Sequence, residues 1–264
     1  MALKQHKDDK VRFDQQVENS RNFVLPFIAQ TKPVGAGIRV LEIGTGEGGV
    51  LLPFIEQGCK CIGVDLSPIR IDLAKNFLEK EVAEGKVEFI CENVYDEPFL
   101  TRFQNSFDII ILKDVIEHVP EQEKFIQYLV NFLNSQGQIF FGFPPWYMPF
   151  GGHQQVCRNK FMSKLPYYHI LPRFLYKRIL RMAGEDEPII DELLEIKDTQ
   201  ITIERFERII KKIGLKVVHK QHYLINPIYR YKFGLEPRKQ LKLFTWLPYF
   251  RDFVTTCVYY TVGR

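Results

Sequence analysis

The sequence has 264 residues, of which 45% are hydrophobic, and a formal net charge of +4. A chain of this length can bury a core as one large domain or as one domain with an insertion. Because no unbroken apolar run reaches about 18 residues and residues 1–10 lack the apolar core of a secretory signal, we expect a cytoplasmic protein without a membrane span.

Apolar runs predict strands that alternate with helices, which is typical of a parallel sheet with crossover connections. About 30 residues before the first strand are predicted to form a leading amphipathic helix. The predicted strands lie at 38–43, 59–64, 87–91, 107–112 and 138–143. The predicted helices lie at 50–57, from Ser67 to about Glu84, and at 121–133; Ser67 and Pro68 have the residue types of an N-cap and a first helical position.

Two of the five cysteines, Cys59 and Cys61, lie two residues apart on the second predicted strand. They therefore face one side of the strand, where we expect buried packing. The cysteine count is odd and no C-x-x-C pair occurs, so the sequence predicts reduced thiols and no metal site.

Residues 144–198 replace a short loop with a proline- and aromatic-rich block, which we interpret as an inserted substrate cap. A basic helix near 173–182 and an acidic amphipathic helix near 188–196 lie within it. A helix at 202–213 and strands at 215–222 and 255–262 follow. We therefore divide a single domain, 1–264, into a leading helical segment (1–35), a cofactor-binding core (36–143), the cap (144–198) and a closing helix with the last two strands (199–264).

Charge is distributed unevenly along the chain. Residues 1–150 carry 15 Lys and Arg against 21 Asp and Glu, whereas the remainder carries 21 against 11. No acidic residue occurs between Glu123 and Glu185. This basic stretch is either a solvated face or a surface for an anionic substrate or a membrane.

A glycine-rich turn follows the first predicted strand, with the sequence Gly44-Thr45-Gly46-Glu47-Gly48-Gly49. A side chain at Gly44, Gly46 or Gly48 would hold the backbone off a ligand or forbid the positive φ angles of tight turns. The pattern G-x-G-x-x-G allows a dinucleotide site. However, Glu42 precedes the turn, and its carboxylate would repel a pyrophosphate but attract a cationic ligand.

Glu42 to Gly48, Gly63 to Pro68, Asn105 to Asp108 and Asp114 to Val119 together resemble the motifs of class I S-adenosylmethionine-dependent methyltransferases. The resemblance covers about residues 36–143, and the Glu117-His118-Val119 run is similar to that of quinone-biosynthesis methyltransferases. It implies a Rossmann-like, doubly wound α/β sheet that is mostly parallel with an antiparallel last strand. It also implies S-adenosylmethionine as the cofactor.

The resemblance places the cofactor on specific residues of this chain. Glu42 would hold the cationic methionine end, and Asp65 would accept hydrogen bonds from the ribose hydroxyls. Glu92 and Asn93 stand where family members usually have Asp followed by a small residue, so they would face the adenine. The remaining residues that the resemblance assigns to the cofactor are Gly44, Thr45, Gly46, Gly48, Leu66 and Lys113.

The acceptor side is expected near the end of the fourth strand and in the cap. His153 follows two glycines after the fifth strand and is our candidate for the base that deprotonates a hydroxyl acceptor; the alternative is a histidine that only hydrogen-bonds the cap. The expected acceptor contacts are Asp114, His118, Trp146, Tyr147 and His153. The aromatics are either pocket walls or the hydrophobic core of the cap.

The sequence favours a small-molecule methyltransferase, O-directed, with an anionic, aromatic or amphiphilic acceptor. Three alternatives stay open: an RNA methyltransferase, since basic and aromatic residues are interleaved; a noncatalytic S-adenosylmethionine-binding protein; and a nicotinamide oxidoreductase. Nucleic acid is not the expected partner because no known RNA-binding module occurs. The basic, aromatic stretches at 229–233 and 238–247 are either a peripheral lipid contact or a packed edge, and the sequence leaves the oligomeric state open.

Overall fold

A computed structural model of the protein describes residues 8–264, which contain one eight-stranded sheet. The strand order is β3-β2-β1-β4-β5-β8-β6-β7. The first five strands run parallel, and β8 pairs antiparallel with both β5 and β6, as β7 does with β6. The strands are β1 Arg39–Ile43, β2 Lys60–Asp65, β3 Val87–Cys91, β4 Phe107–Lys113, β5 Leu133–Phe143, β6 Lys216–Ile225, β7 Arg238–Lys239 and β8 Cys257–Gly263.

Helices precede, connect and follow the strands. Those of the leading segment and the core are α1 Asp9–Asn19, α2 Leu25–Ile28, α3 Leu52–Glu56, α4 Pro68–Phe77, α5 Glu79–Ala83, α6 Glu97–Phe103 and α7 Gln122–Leu129. Those of the cap and the closing region are α8 Arg173–Met182, α9 Glu187–Thr199, α10 Ile203–Lys212, α11 Tyr229–Phe233, α12 Lys242–Thr245 and α13 Phe250–Phe253.

The sheet is covered on both faces because its strands are apolar at consecutive positions. In β4, Ile110 and Leu112 belong to one hydrophobic cluster, whereas Ile109 and Ile111 belong to the cluster on the opposite face. The alternation follows from the two-residue period of a strand. The fold is therefore the doubly wound α/β sheet that the sequence predicted, with the expected antiparallel last strand.

The reversal of strand order lies between β1 and β4, the two neighbours at the centre of the parallel region. Connections leave β1 and β4 toward opposite sides of the sheet at such a point, and a crevice opens beyond their carboxyl ends. Glu42 lies at the end of β1 and Asp114 directly follows β4. The fold thereby brings together two residues 72 positions apart in the sequence.

Several element predictions needed correction. The helix expected from Ser67 to about Glu84 is two helices, α4 and α5, which meet at Leu78 with a nonhelical ψ of 33°. The fifth strand begins at Leu133, since Leu133 pairs with Phe107 before the register shifts. The closing region contains three strands rather than two because the short β7 pairs with β6. The N-cap prediction was confirmed: the Ser67 hydroxyl accepts a hydrogen bond from the Arg70 amide, 3.5 Å away.

The block predicted to be an inserted cap contains α8 and α9, which cover a third hydrophobic cluster of their own that includes Tyr176, Leu180 and Leu193. α9 is attached to the turn after β4, because the Thr199 hydroxyl donates to the Glu117 carbonyl oxygen. The Trp146 amide donates to the Ile201 carbonyl, 2.8 Å away. These bonds hold the cap beside the carboxyl ends of β4 and β5.

Within residues 8–264, no helix combines the length and the apolar character that crossing a membrane requires. The first seven residues of the leading segment lie outside the described part of the chain.

Candidate active site

The glycine-rich turn after β1 has the backbone geometry that the sequence predicted. The φ angles are +68° at Gly44, +54° at Gly46 and +81° at Gly48. A Cβ at Gly44 would lie 2.7 Å from a Val115 methyl carbon, and one at Gly48 would lie 2.8 Å from the Phe89 ring. A Cβ at Gly46 would meet no heavy atom closer than 3.7 Å. The turn is thus packed at its two ends and open at Gly46.

Glu42 is a buried carboxyl group next to this turn. Its side chain is 2% exposed, and its Oε2 accepts a hydrogen bond from the Thr45 hydroxyl, 2.7 Å away. Burial raises the pKa of Glu42 to about 8, against the lowering effect of the Thr45 hydrogen bond. The group is therefore mostly protonated at neutral pH until a cation comes close to it.

Asp65 ends β2 and ties that strand to the turn. One carboxylate oxygen accepts from the Gly46 amide at 3.0 Å, and the other accepts from the Ser67 amide at 2.9 Å. A carboxylate has about four acceptor positions in total. Asp65 can therefore hold the turn and still accept hydrogen bonds from a ligand.

Glu47 connects the turn to the leading helix, a role that sequence reasoning missed. Its side chain is 1% exposed and forms ion pairs with Arg12 and Arg70. The Gln16 amide nitrogen donates to Glu47 Oε2 at 3.1 Å, and Gln16 Oε1 accepts from the Gly49 amide at 3.3 Å. The sequence feature that could have indicated this ion-pair role is an acidic residue between glycines, with arginines on the flanking helices.

Three cavities surround the carboxyl ends of β1 and β4. The turn cavity lies against the glycines and is lined by Gln16, Asn19, Glu42, Gly44, Thr45, Gly46, Glu47, Val50, Asp65, Arg70, Lys113, Asp114 and Ile228. The strand-end cavity, about 640 Å³ in volume, is lined by Ile43, Gly44, Val64, Asp65, Leu66, Glu92, Asn93, Val94, Tyr95, Asp114, Val115, His118, Val119, Pro120 and Phe125. The cap cavity, about 250 Å³, is lined by Asp114, Glu117, Pro144, Met148, Phe150, His153, Gln155, Val156, Asn226, Ile228, Tyr229, Lys232 and Phe233.

Asp114 lines all three cavities. It is a nonglycine residue with a φ of +56°, directly after β4, and it forms an ion pair with Lys113. Gly44 and Asp65 line both the turn cavity and the strand-end cavity. The three spaces therefore meet around Asp114.

The cap cavity contains a cluster of titratable groups. Glu117 is 3% exposed, and neither of its carboxyl oxygens has a hydrogen-bond partner among the described residues. His153 Nε2 lies 4.0 Å from Glu117 Oε1, and the His153 ring centroid lies 5.0 Å from that of His118. Burial raises the pKa of Glu117 well above its usual value, whereas burial and the nearby His118 lower the pKa of His153 to about 3. His153 is therefore uncharged at neutral pH, and burial favours the protonated form of Glu117.

The same cluster has the arrangement of a possible metal site. Glu117, His118 and His153 each offer one ligand atom, and these atoms lie within 4.8 Å of one another. Imidazole and carboxylate ligands suit several divalent cations. Sequence reasoning did not find this cluster because it joins two positions after β4 with one in the cap.

Lys232 is the cation on the wall of the cap cavity, and it comes from α11, which the sequence did not predict as a wall. Burial lowers the pKa of Lys232, although the nearby Asp114 raises it. Ile228, Tyr229 and Phe233 from the same region supply apolar surface beside it. The basic, aromatic run at 229–233 was recognisable in the sequence, but the sequence did not indicate which part of the molecule its side chains face.

Trp146 and Tyr147, two of the expected acceptor contacts, lie outside the cap cavity. Trp146 is 3% exposed and packs edge-on against the His169 ring at 4.7 Å, while its carbonyl oxygen lies 2.9 Å from His169 Nε2. Tyr147 stacks on Phe253 with ring centroids 5.1 Å apart. Neither residue lines the turn cavity, the strand-end cavity or the cap cavity. The indole of Trp146 thus packs inside the cap.

A family model described as a methyltransferase domain matches residues 15–155, which is more than half of the chain. The chain belongs to this family. With the glycine turn, Glu42 and the Asp114 to Val119 segment, it is a class I S-adenosylmethionine-dependent methyltransferase by family, as the sequence motifs indicated. The match begins within α1, which agrees with the contact of Gln16 with the glycine turn.

Individual relatives match a smaller part of the chain. A ubiquinone biosynthesis O-methyltransferase from Coxiella burnetii (strain Dugway 5J108-111) is 30% identical over 105 residues, which are 40% of this chain and 43% of the relative. A norajmaline N-methyltransferase from Rauvolfia serpentina is 32% identical over 93 residues, which are 35% of this chain and 31% of the relative. The chain thus spans less than half the length of these curated relatives.

Solved structures support the same fold over nearly the whole chain. Phosphoethanolamine N-methyltransferase 2 from Haemonchus contortus, in complex with S-adenosylmethionine, has a TM-score of 0.55 and 18% identity, and the match covers 91% of this chain and 51% of that one. At 18% sequence identity, this similarity shows a shared fold and nothing more.

S-adenosylmethionine is the cofactor of this family, and the residues present fit it. The turn is least crowded at Gly46, where a Cβ would meet no heavy atom closer than 3.7 Å. Glu42 is a buried carboxyl on the wall of the turn cavity, which suits a cationic ligand better than a phosphate. Asp65 lies where the turn cavity meets the strand-end cavity, so it faces the middle of any ligand that occupies both.

Proposed function

We propose that this chain transfers the methyl group of S-adenosylmethionine to an oxygen of a small-molecule acceptor in the cap cavity. One observation carries the proposal: Asp114 lines the cap cavity and both cavities beside the glycine turn. A donor on one side of Asp114 and an acceptor on the other would be close together. Bringing the reactants into such proximity is the main catalytic requirement of an in-line displacement.

The cofactor assignment follows the two cavities beside the turn. Glu42 and Lys113 line the turn cavity and would contact the amino and carboxylate groups of the methionine part. Asp65 would accept the ribose hydroxyls, and Leu66, Glu92 and Asn93 line the strand-end cavity on the adenine side. Gly44, Thr45 and Gly46 supply the turn, while Gly48 lets it pack on Phe89.

His153 is the proposed base for a hydroxyl acceptor. Its ring lines the cap cavity and is neutral at pH 7, which leaves a ring nitrogen free to accept a proton. Because a pKa of about 3 makes the free ring a weak base, the proposal requires that the bound acceptor and Asp114 raise this pKa during the reaction. The negative charge of Asp114 would then stabilise the protonated imidazole. Glu117, whose Oε1 lies 4.0 Å from His153 Nε2, is proposed to position His153. His118 is proposed to shape the strand-end cavity.

The lining of the cap cavity supports an acceptor with an anionic and an apolar part. Lys232 offers a positive charge beside Asp114, while Met148, Phe150 and Tyr229 offer apolar surface. A volume of about 250 Å³ suits a small aromatic or amphiphilic molecule better than an RNA strand. The name of the Coxiella relative as an O-methyltransferase favours oxygen, whereas the Rauvolfia relative is named for nitrogen.

Replacing the base tests this proposal. His153→Ala should lower turnover by about 100-fold or more with unchanged affinity for S-adenosylhomocysteine measured by calorimetry. Gln155→Ala is the matched control, because Gln155 lines the same cavity without a titratable group. Full activity of His153→Ala would contradict the assignment of the base. Binding of S-adenosylhomocysteine without turnover on a broad panel of acceptors would instead support a noncatalytic protein.

A chelator distinguishes general-base catalysis by His153 from catalysis by a bound metal ion. With a general base alone, EDTA should leave turnover unchanged, and activity should fall at low pH as the imidazole becomes protonated. Loss of activity in EDTA, restored by one divalent cation, would assign the Glu117, His118 and His153 cluster to metal binding instead.

A further inference from the structure

A short stretch between β7 and β8 exposes an unusual amount of apolar surface. Six large apolar side chains within residues 241–250 are exposed, and Trp246 reaches 83% exposure and Leu243 71%. Scattered single exposed residues are ordinary, but contiguous apolar patches mark interaction sites. We call this patch the connector surface; it consists of Leu241, Leu243, Trp246, Leu247, Tyr249 and Phe250.

The connector surface is held in place from both ends. Gln240 is 6% exposed, and its side-chain amide donates to the Val254 carbonyl. Arg251 is 8% exposed and bonds Glu204 Oε1 and Glu207 Oε2, each at 2.8 Å. The Tyr249 amide also donates to Glu204 Oε1 at 2.7 Å. The exposed side chains are thus presented by an anchored backbone.

Exposed basic side chains flank the connector surface, and the same stretch of sequence has few acidic residues. Arg238, Lys239 and Lys242 are exposed, and no Asp or Glu occurs between Glu236 and Asp252. Glu236 pairs with Arg230 at 3.6 Å, and Asp252 is fully buried, where it accepts from the Ile203 amide. The patch therefore combines apolar and aromatic groups with exposed positive charge.

We propose that the connector surface docks on a membrane that carries anionic lipids. Tryptophan and tyrosine favour the interface between headgroups and acyl chains, where one side of the ring is apolar and the other wet. Lysines and arginines beside them are attracted to anionic headgroups. A second copy of the chain fits less well, because a twofold interface would bring Arg238, Lys239 and Lys242 near their own copies.

The two tryptophans provide a direct readout. Trp146 is already buried at 3% exposure, so a blue shift of the emission on adding vesicles reports on Trp246. We expect the shift with phosphatidylcholine vesicles that contain about one third phosphatidylglycerol, and a much smaller one with phosphatidylcholine alone. The shift should weaken as salt screens the charges. No shift with the anionic vesicles would overturn the proposal.

Variants locate the contact by vesicle flotation of the full chain. Leu243→Ala together with Trp246→Ala should lower the bound fraction at least tenfold, and Lys239→Glu with Lys242→Glu should remove the preference for anionic vesicles. Met182→Ala is the matched control, since Met182 is 77% exposed on the cap. An equal loss in this control would contradict the assignment to the connector surface.

Two further measurements exclude misfolding of the variants and association between copies of the chain as explanations. Thermal unfolding and S-adenosylhomocysteine affinity of each variant should match the parent, because the replaced side chains are exposed and lie outside the three cavities; flotation is interpreted only for variants that pass. A concentration-dependent blue shift without vesicles, with a doubled mass in light scattering, would show an interface between copies and overturn membrane docking. The docking test does not depend on whether the chain methylates an acceptor.

Discussion

Glu42 shows how a buried carboxyl group can select the charge of a ligand. Its surroundings raise its pKa to about 8, mainly by desolvation. A cation placed beside it in the turn cavity favours the ionised form. Binding of a ligand with an ammonium group would therefore release the proton that Glu42 holds in the free protein.

If Glu42 holds the cationic end of the cofactor, as proposed, this proton release makes cofactor affinity depend on pH. Between about pH 6 and pH 7.5, where Glu42 is mostly protonated in the free protein, affinity for S-adenosylhomocysteine should rise by up to roughly tenfold per pH unit. Calorimetry in buffers of different ionisation enthalpy measures both the affinity and the protons released. Glu42→Gln should bind more weakly and lose this pH dependence. A parent protein whose affinity is flat over that range would show that Glu42 does not face the cation.

At the scale of elements, α10 and the segment that follows the connector surface depend on one buried ion-pair network. The Arg251 side chain is 10% exposed and bridges Glu204 and Glu207 on α10. Burial would raise the pKa of Glu207, but its bonds to Lys220, Arg251 and Tyr260 bring it to about 2. The arginine thus compensates two carboxylates that the fold has partly removed from water.

Removing that arginine should destabilise the protein strongly. Arg251→Ala leaves Glu204 and Glu207 without their buried cation and should cost about 3 kcal/mol or more in the free energy of unfolding. Lys220→Ala is the control, because Lys220 pairs with the same Glu207 at 2.8 Å but is 46% exposed; it should cost at most about 1 kcal/mol. Urea unfolding measures both. Similar costs for the two variants would mean that burial is not what makes the Arg251 network important.

Elements with strong local signals were predictable. β4 is a run of apolar residues interrupted by Asp108, and α8 has the bounds that its basic amphipathic pattern indicated. The break between α4 and α5 at Leu78 has no glycine or proline to mark it. β7 is only two residues long and exists through pairing with β6, so no local pattern could reveal it.

At the scale of the whole molecule, the residues around the glycine turn were predictable, whereas the composition of the cap cavity largely was not. Glu42, the glycines and Asp65 lie within about 25 positions of one another, so a local motif specifies them. The cap cavity instead combines residues after β4, after β5 and on α11. α11 reaches this place through contacts such as Gln15 Nε2 with the Tyr231 carbonyl, 216 positions apart. Aromatic composition alone therefore favoured Trp146, which packs inside the cap.

The buried titratable groups also determine how the stability of the whole molecule responds to pH. Burial lowers the pKa of His153 to about 3 and those of His169 and His222 to about 4. Unfolding lets these histidines bind protons, so their effect is to lower stability as pH falls below about 6.5. Above that pH they are neutral in both states and contribute no slope.

Buried acids dominate above about pH 6.5, and Glu117, whose pKa burial raises well above its usual value, acts in the same direction as the two that follow. Asp252, with a pKa raised by burial and by Glu204 to about 7, and Glu42, at about 8, retain protons in the folded state that the unfolded chain has already lost. Stability should therefore fall as pH rises from about 6.5 to about 8, by about 2 kcal/mol from these two groups, when cofactor is absent. Urea unfolding at the two pH values measures the difference, and Asp252→Asn should reduce it by about 1 kcal/mol because its amide does not ionise. Stability that is constant or increases over this range would mean that these carboxyls reach water or a cation in solution.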